Sequence, residues 1–413
     1  MLLSACTAAP EEHYITVLPP DPGPGNTADP SENGTVPEGP EDIGEPEAEA
    51  ETPDPDAEIK TQIAAMTLED KVLQLFIVRP HLAGEYKGRV GGYIIFTDDI
   101  HTADQLKNLT AELSMPPQYN MPNVAADPED EADAVSDDSS SAESEQQAWS
   151  KPFIAVDEEG GDVARVANAH IGVKNTGSMG NVGKTKDPAN AFFAGYTIGS
   201  YLKDYGFTLN FAPDTDVNTN PQNPVIGKRA FGSDPLLVSD MANAFMDGLH
   251  ANGVLGVIKH YPGHGDTKSD THTGYVQVDK SWDELLECEL IPFINCMDKA
   301  DAIMAAHITL PNVSDDGLPA SLSEQLIDEK LRGELGWDGL VVTDSLAMGA
   351  VAKQYSPAEA AVLAVKAGCD LLLMPENLGE AVRGILDAIA SGDFSEERID
   401  QSLLRILKVK NDG

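Results

Sequence analysis

Leu255-Gly256-Val257-Ile258-Lys259-His260 is a short apolar run that stops at a lysine and a histidine. A continuous run of this length, without polar alternation, fits a parallel strand buried on both faces. Seven further runs of the same kind lie at 72–78, 92–96, 153–156, 208–212, 302–306, 340–343 and 370–374. Amphipathic stretches that predict helices separate most of them, at 102–114, 189–204, 235–252, 282–299, 323–334, 357–367 and 378–391, and another at 395–410 closes the chain. Ser233-Asp234-Pro235 and Ser356-Pro357 are helix-start signals. Eight strands alternating with helices predict an α/β fold, a (β/α)8 TIM-type barrel. A doubly wound open sheet is the competitor, but it calls for a phosphate-binding glycine fingerprint after the first strand, and none stands there.

Polar residues stand where the strands end: Asp157, Lys259 with His260, His307 and Asp344. In such a barrel these ends share one face, where its chemistry is kept. Four strands ending this way predict a site there.

The net charge of −42 is unevenly spread. Residues 1–57 hold 14 acidic side chains and residues 116–150 hold 9, with no Lys or Arg in either. Both segments are rich in Pro, Gly, Ser, Asp and Glu, bury too little apolar surface to offset ordering entropy, and are predicted to be disordered. The expected organisation is therefore an acidic tail over 1–56 and a catalytic domain over 57–413 with a disordered insertion at 116–150. Such an acidic surface excludes nucleic acid and anionic lipid as partners, and a monomer is expected. No apolar run approaches the roughly 20 residues of a membrane span.

Four cysteines make no disulfide framework, since Cys288 and Cys296 lie about 12 Å apart if their stretch is helical. Leu3-Ser4-Ala5-Cys6 resembles a bacterial lipobox, in which the cysteine is lipidated after cleavage. The basic start and most of the apolar core of a signal peptide are absent before it. The expectation is a secreted protein, or a lipoprotein tethered through Cys6 to the outer face of the membrane by the acidic, Pro-rich linker.

Lys259-His260-Tyr261-Pro262-Gly263-His264-Gly265-Asp266-Thr267, with Asp270-Thr271-His272 after it, resembles the signature of glycoside hydrolase family 3, and within it the β-N-acetylglucosaminidase branch. Asp157-Glu158-Glu159-Gly160-Gly161 with Arg165, then 226–232 (Ile-Gly-Lys-Arg-Ala-Phe-Gly), then Val342-Thr343-Asp344-Ser345-Leu346 agree in order and spacing. The resemblance spans residue 58 to about 410. It implies that Asp344 is the nucleophile and that the Asp270/His272 pair replaces the glutamate acid/base that a second domain supplies elsewhere in the family. A histidine titrates near neutrality and can both give and take a proton, and the Asp270 carboxylate can orient it. The resemblance further implies sugar binding by Asp157, Arg165, Arg229, Lys259 and His260. Carboxylates and cations clamp vicinal hydroxyls from two sides.

The resulting expectation is a retaining exo-β-N-acetylglucosaminidase acting on peptidoglycan fragments or chitooligosaccharides, with no cofactor and no metal. Pro262, Gly263 and Gly265 forbid the helix on which His260 and His264 would jointly bind zinc. His264, Asp266, His307 and Asp216 are expected to be structural. Phosphorolysis is the enzymatic alternative, because a histidine does not repel phosphate as a carboxylate would. A catalytically idle wall-binding lipoprotein is the other. Two departures from the commoner pattern, Glu158 in place of glutamine and Asp162 in place of a base, are expected to retune the rim of the binding site.

Overall fold

A computed structural model describes residues 54–116, 150–267 and 276–412. The expectations for Cys6, for nearly all of the acidic tail and insertion, and for Asp270 and His272 therefore lie outside the described residues.

Eight parallel strands form the centre: β1 (Phe76–Val78), β2 (Gly92–Ile94), β3 (Phe153–Val156), β4 (Leu209–Asn210), β5 (Leu255–Tyr261), β6 (Ala302–Ala305), β7 (Leu340–Thr343) and β8 (Leu372–Leu373). They pair in chain order from β1 to β7, and β8 pairs with β1 through Phe76 opposite Leu372. A bridge between Val342 and Leu371 and the hydrogen bond from Thr343 N–H to Leu371 O bring β7 to β8, so the sheet closes on itself. The barrel expected from the apolar runs is the observed architecture. Every strand residue except those in the last turn of β5 is apolar, glycine, Asn or Thr and buried, as a sheet covered on both faces requires.

Two expected elements differ. The run 72–78 splits, because Val72 and Leu73 finish a helix (Leu68–Leu73) whose cap is Thr67, its side chain accepting from Asp70 N–H. The stretch 282–299 is two helices, Trp282–Leu286 and Ile291–Cys296. Pro292 lacks the N–H that would continue the first helix and fits the opening turn of the second. The other caps are as the sequence predicts. Asp234 caps the helix Pro235–His250 through Leu236 N–H, and Ser356 with Glu359 forms a capping box on Pro357–Ala367. Cys288, Cys296 and Cys369 are free thiols. Burial pushes the thiols of Cys296 and Cys369 up to about 12, which keeps them protonated.

Candidate active site

The strand ends converge on one cavity of about 410 Å³ at the C-terminal mouth of the barrel. Asp157 follows β3, and a short hairpin (Glu158–Gly160 paired with Val163–Ala164) carries the chain over the mouth and back to Arg165. Successive residues of an extended chain face opposite ways. Asp157 and Glu159 accordingly line the cavity, while Glu158 points away and is fully buried. This corrects the expectation that Glu158 tunes the rim. Asp162 sits exposed at the hairpin turn, outside the cavity lining.

On β5 the pairing with β6 shifts register between Lys259 and Tyr261, a bulge that lets neighbours Lys259 and His260 both serve the cavity. The Lys259–His260 peptide is cis. Lys259 Nζ donates to Asp157 Oδ1 at 2.9 Å and lies 2.6 Å from Glu159 Oε1. Arg229 grips the same glutamate bidentately, Nε to Oε2 and Nη2 to Oε1, both at 2.8 Å. Burial alone would raise the Glu159 carboxyl; Arg229 and Lys259 outweigh it and hold it below the usual range. Burial likewise works against the charge on Lys259, but Asp157 and Glu159 raise it, so the ammonium persists.

The loop after β4 supplies a second layer. Asp216 Oδ2 accepts from His260 Nδ1 at 2.7 Å, and Asp216 Oδ1 accepts from His264 N–H at 2.5 Å. Arg229 Nη2 stands 3.1 Å from His260 Nε2. A guanidinium can only donate, so His260 accepts at Nε2 and carries its proton on Nδ1. Burial first, then Asp216, push Asp214 well above the usual carboxylate range, which makes it the member of the cluster that keeps its proton. Asp214, Asp216 and His260 have ligand-type atoms within 4.8 Å of one another. Both ring nitrogens of His260 are already engaged, which leaves that ring no spare lone pair for an ion. Asp216 fixes His260 and the His264 backbone through these bonds. Gly265 has to be glycine here: a Cβ would come within 1.9 Å of Val217 O.

Asp344 leaves the end of β7 and faces these cations across the cavity. Its N–H donates to Ala305 O at 2.8 Å, and its Oδ1 accepts from Ser345 N–H at 2.7 Å. Burial acts to raise this carboxyl, but His307 foremost, with the Ser345 amide and Lys259, holds it below the usual value. His307 Nε2 donates to Ser345 O at 2.8 Å, and Nδ1 meets Ser321 Oγ at 2.6 Å, which braces the turn behind Asp344. Arg165 lies over the Phe96 ring at 5.3 Å, its Nη2 3.8 Å from Asp157 Oδ2. Asp344 thus faces a set of fixed cations and two further carboxylates, Asp157 and Glu159, across a space for a small polar molecule.

Residues 67–409 match the family model described as the glycosyl hydrolase family 3 N terminal domain. The chain belongs to glycoside hydrolase family 3. It is 31% identical over 345 residues to beta-hexosaminidase A of Pseudoalteromonas piscicida, covering 78% of this chain and 53% of that protein. A beta-hexosaminidase of Tolumonas auensis is 37% identical over 249 residues, 59% of this chain and 72% of its own length. Among solved structures, a glycoside hydrolase family 3 beta-N-acetylglucosaminidase from Paenibacillus sp. str. FPU-7 superposes with a TM-score of 0.72 at 36% identity, covering 84% of this chain and 62% of that one. The chain spans about half the length of the first of these relatives.

Within this family frame, the structure brings together Asp157, Arg165, Arg229, Lys259, His260 and Asp344, the described members of the expected set. Other residues join them in the cavity wall. Glu159 is the shared counter-charge of Lys259 and Arg229. His264 lines the cavity rather than only bracing it. Met348 and Met374 form part of the apolar wall, Met374 with a left-handed backbone (φ 49°) at the end of β8.

Proposed function

We propose that the chain is a retaining exo-β-N-acetylglucosaminidase that removes terminal β-linked N-acetylglucosamine from peptidoglycan fragments or chitooligosaccharides. The observation that carries this reading is the placement of Asp344 with Lys259, His260, Arg229 and Asp157 around one cavity at the ends of the barrel strands. The relatives named beta-hexosaminidase and the beta-N-acetylglucosaminidase structure support the sugar class.

In this reading Asp344 attacks the anomeric carbon and the glycosidic C–O bond breaks, with the leaving oxygen taking a proton from His272. Asp270 orients that ring. Asp157, Lys259, Arg229 and Arg165 hold the hydroxyls, with Glu159 fixing two of the cations and Asp216 fixing His260. Water then gives a proton to His272 while its oxygen attacks the glycosyl–Asp344 ester, and the sugar leaves with its configuration retained.

The test is turnover of aryl N-acetyl-β-glucosaminides by wild type, Asp344→Asn and His272→Ala, with product analysis in phosphate buffer. Asp344→Asn should lose activity on the order of 10⁴-fold or more, as when a nucleophile is removed. His272→Ala should lose less on substrates with good leaving groups, which need less protonation. Sugar 1-phosphate as the main product would replace hydrolysis with phosphorolysis. No turnover by wild type at any pH would overturn the enzymatic reading.

A further inference from the structure

Glu158 has no exposed surface, and three donors converge on its carboxylate. Oε2 accepts from Val166 N–H at 2.7 Å. Oε1 accepts from Ala167 N–H at 3.0 Å and from Tyr201 O–H at 2.7 Å. Its backbone is held as firmly, N–H to Asn210 Oδ1 at 2.9 Å and O from Asn210 Nδ2 at 3.0 Å. The two amides it binds directly follow Arg165. That arginine's own N–H donates to Asp157 O at 3.3 Å, and its O accepts from Thr97 Oγ1 at 3.1 Å. Glu158 therefore sits behind the turn whose other side presents Arg165 to the cavity.

We propose that Glu158 is a positioning residue: its ionised carboxylate, by accepting from Val166 and Ala167, fixes the turn that aims Arg165 at the sugar, and protonation of Glu158 releases that turn. The inference rests on the functional reading above for Arg165's role. The chemistry is one of donor count. Backbone N–H groups can only donate, and burial first, then Glu158, raise the Tyr201 hydroxyl, which keeps its proton. Three hydrogens pointing at one carboxyl group suit an ionised carboxylate. A proton on Glu158, or the amide of a glutamine, adds a donor and removes acceptor capacity, so one of the converging donors must turn away or go unpaired. Burial pushes Glu158 up to about 7 despite the opposing pull of Val166, Tyr201, Ala167 and Arg165, so the switch falls near neutral pH. The groups facing it are Tyr201 from the helix Pro188–Asp204, Arg165 from the hairpin and the neutral Asn210 from β4.

The sign follows. Sugar binding that needs the ionised form weakens as pH falls through the folded value, so KM should rise below about pH 7 while Asp344 stays ionised. Folding stability has the opposite sign, because a carboxyl raised by burial binds its proton more tightly in the folded chain and adds stability as pH falls. The experiment measures KM and kcat for 4-nitrophenyl N-acetyl-β-glucosaminide from pH 5 to 9 in wild type, Glu158→Gln, Tyr201→Phe, Arg165→Ala and the Glu158→Gln/Arg165→Ala double variant. At pH 8.5 Glu158→Gln should raise KM about tenfold with kcat within about twofold, the scale of one lost hydrogen bond. Wild-type KM should climb as pH falls and meet that of Glu158→Gln near pH 5.5. The double variant should be no worse than Arg165→Ala, because both changes act through one side chain. Tyr201→Phe, which keeps the carboxylate but removes a donor, should move the wild-type KM rise to higher pH; it decides the matter if Glu158→Gln does not fold. Amide exchange at Val166 and Ala167, read without any substrate, should quicken about tenfold in Glu158→Gln and stay unchanged in Arg165→Ala. KM values that match wild type at every pH, additive effects in the double variant, or unchanged exchange at the two amides would overturn the proposal. A wild type that cleaves no such substrate would overturn the functional reading instead, with amide exchange still deciding whether Glu158 fixes the turn.

Discussion

Glu159 carries more of the site than its neighbours in the motif. It is almost completely buried, and two cations, Arg229 and Lys259, depend on it for counter-charge. Removing one member of a buried ionic set leaves the others desolvated and unpaired, at a cost of about 3–5 kcal/mol. Glu159→Gln should therefore lower stability by about that amount in urea unfolding. The pH behaviour has a definite sign. A carboxyl whose folded value is depressed contributes stability that is present above its unfolded value, about 4.3, and lost as pH falls toward the folded value. The gap between wild type and Glu159→Gln should hence be widest above about pH 5 and narrow in acid. A gap that grew as the solution was acidified would mean that the glutamate is not ionised in the folded chain. Asp157 and Asp344 were readable in the sequence because each ends an apolar strand. Glu159 was not, because its weight comes from Arg229, which lies 70 residues away in a loop.

Whole elements were legible where burial is uniform and caps are clear, as in β3, β7 and the helix Pro357–Ala367. Val72 and Leu73 misled because a fully buried helical turn and a buried strand are both simply apolar, and periodicity cannot separate them over so few residues. The close crossing of two long helices was equally invisible. Pro188–Asp204 and Pro235–His250 pack so tightly that a Cβ on Gly195 would lie 2.0 Å from Phe245 O, and one on Gly248 2.3 Å from Phe192 O. No sequence period announces which glycine serves an approach of two backbones. Gly248→Ala gains helix propensity locally but must push the helices apart, and overpacking of this kind costs about 1–3 kcal/mol. Thermal unfolding should show the variant less stable than wild type. An unchanged or raised melting temperature would mean that the helix pair yields without strain.

Closure of the barrel depends on a cluster at its far end, opposite the cavity mouth. Asp370, fully buried just before β8, gathers donors from three directions. Oδ2 accepts from Arg332 Nη2 at 2.7 Å and from Val341 N–H of β7 at 3.0 Å. Oδ1 accepts from Ser402 Oγ at 2.7 Å and from Arg405 Nη1 at 3.4 Å, both on the last helix, Glu396–Asp412. One carboxylate thus joins the seam strands β7 and β8 to the helix that closes the chain, and the sequence showed it only as the first residue of an apolar run. Fold stability and site geometry are separated along the barrel axis, as expected when the strand ends that carry chemistry lie at the other face. Asp370→Asn keeps the shape but withdraws the charge and one acceptor from Arg332 and Arg405, so it should destabilise the chain by about 3–5 kcal/mol in urea unfolding. At a temperature where the variant is still folded, KM and kcat for an aryl N-acetylglucosaminide should match wild type. A raised KM with stability intact would mean that the seam communicates with the cavity, and the division of labour between the two ends of the barrel would then be wrong.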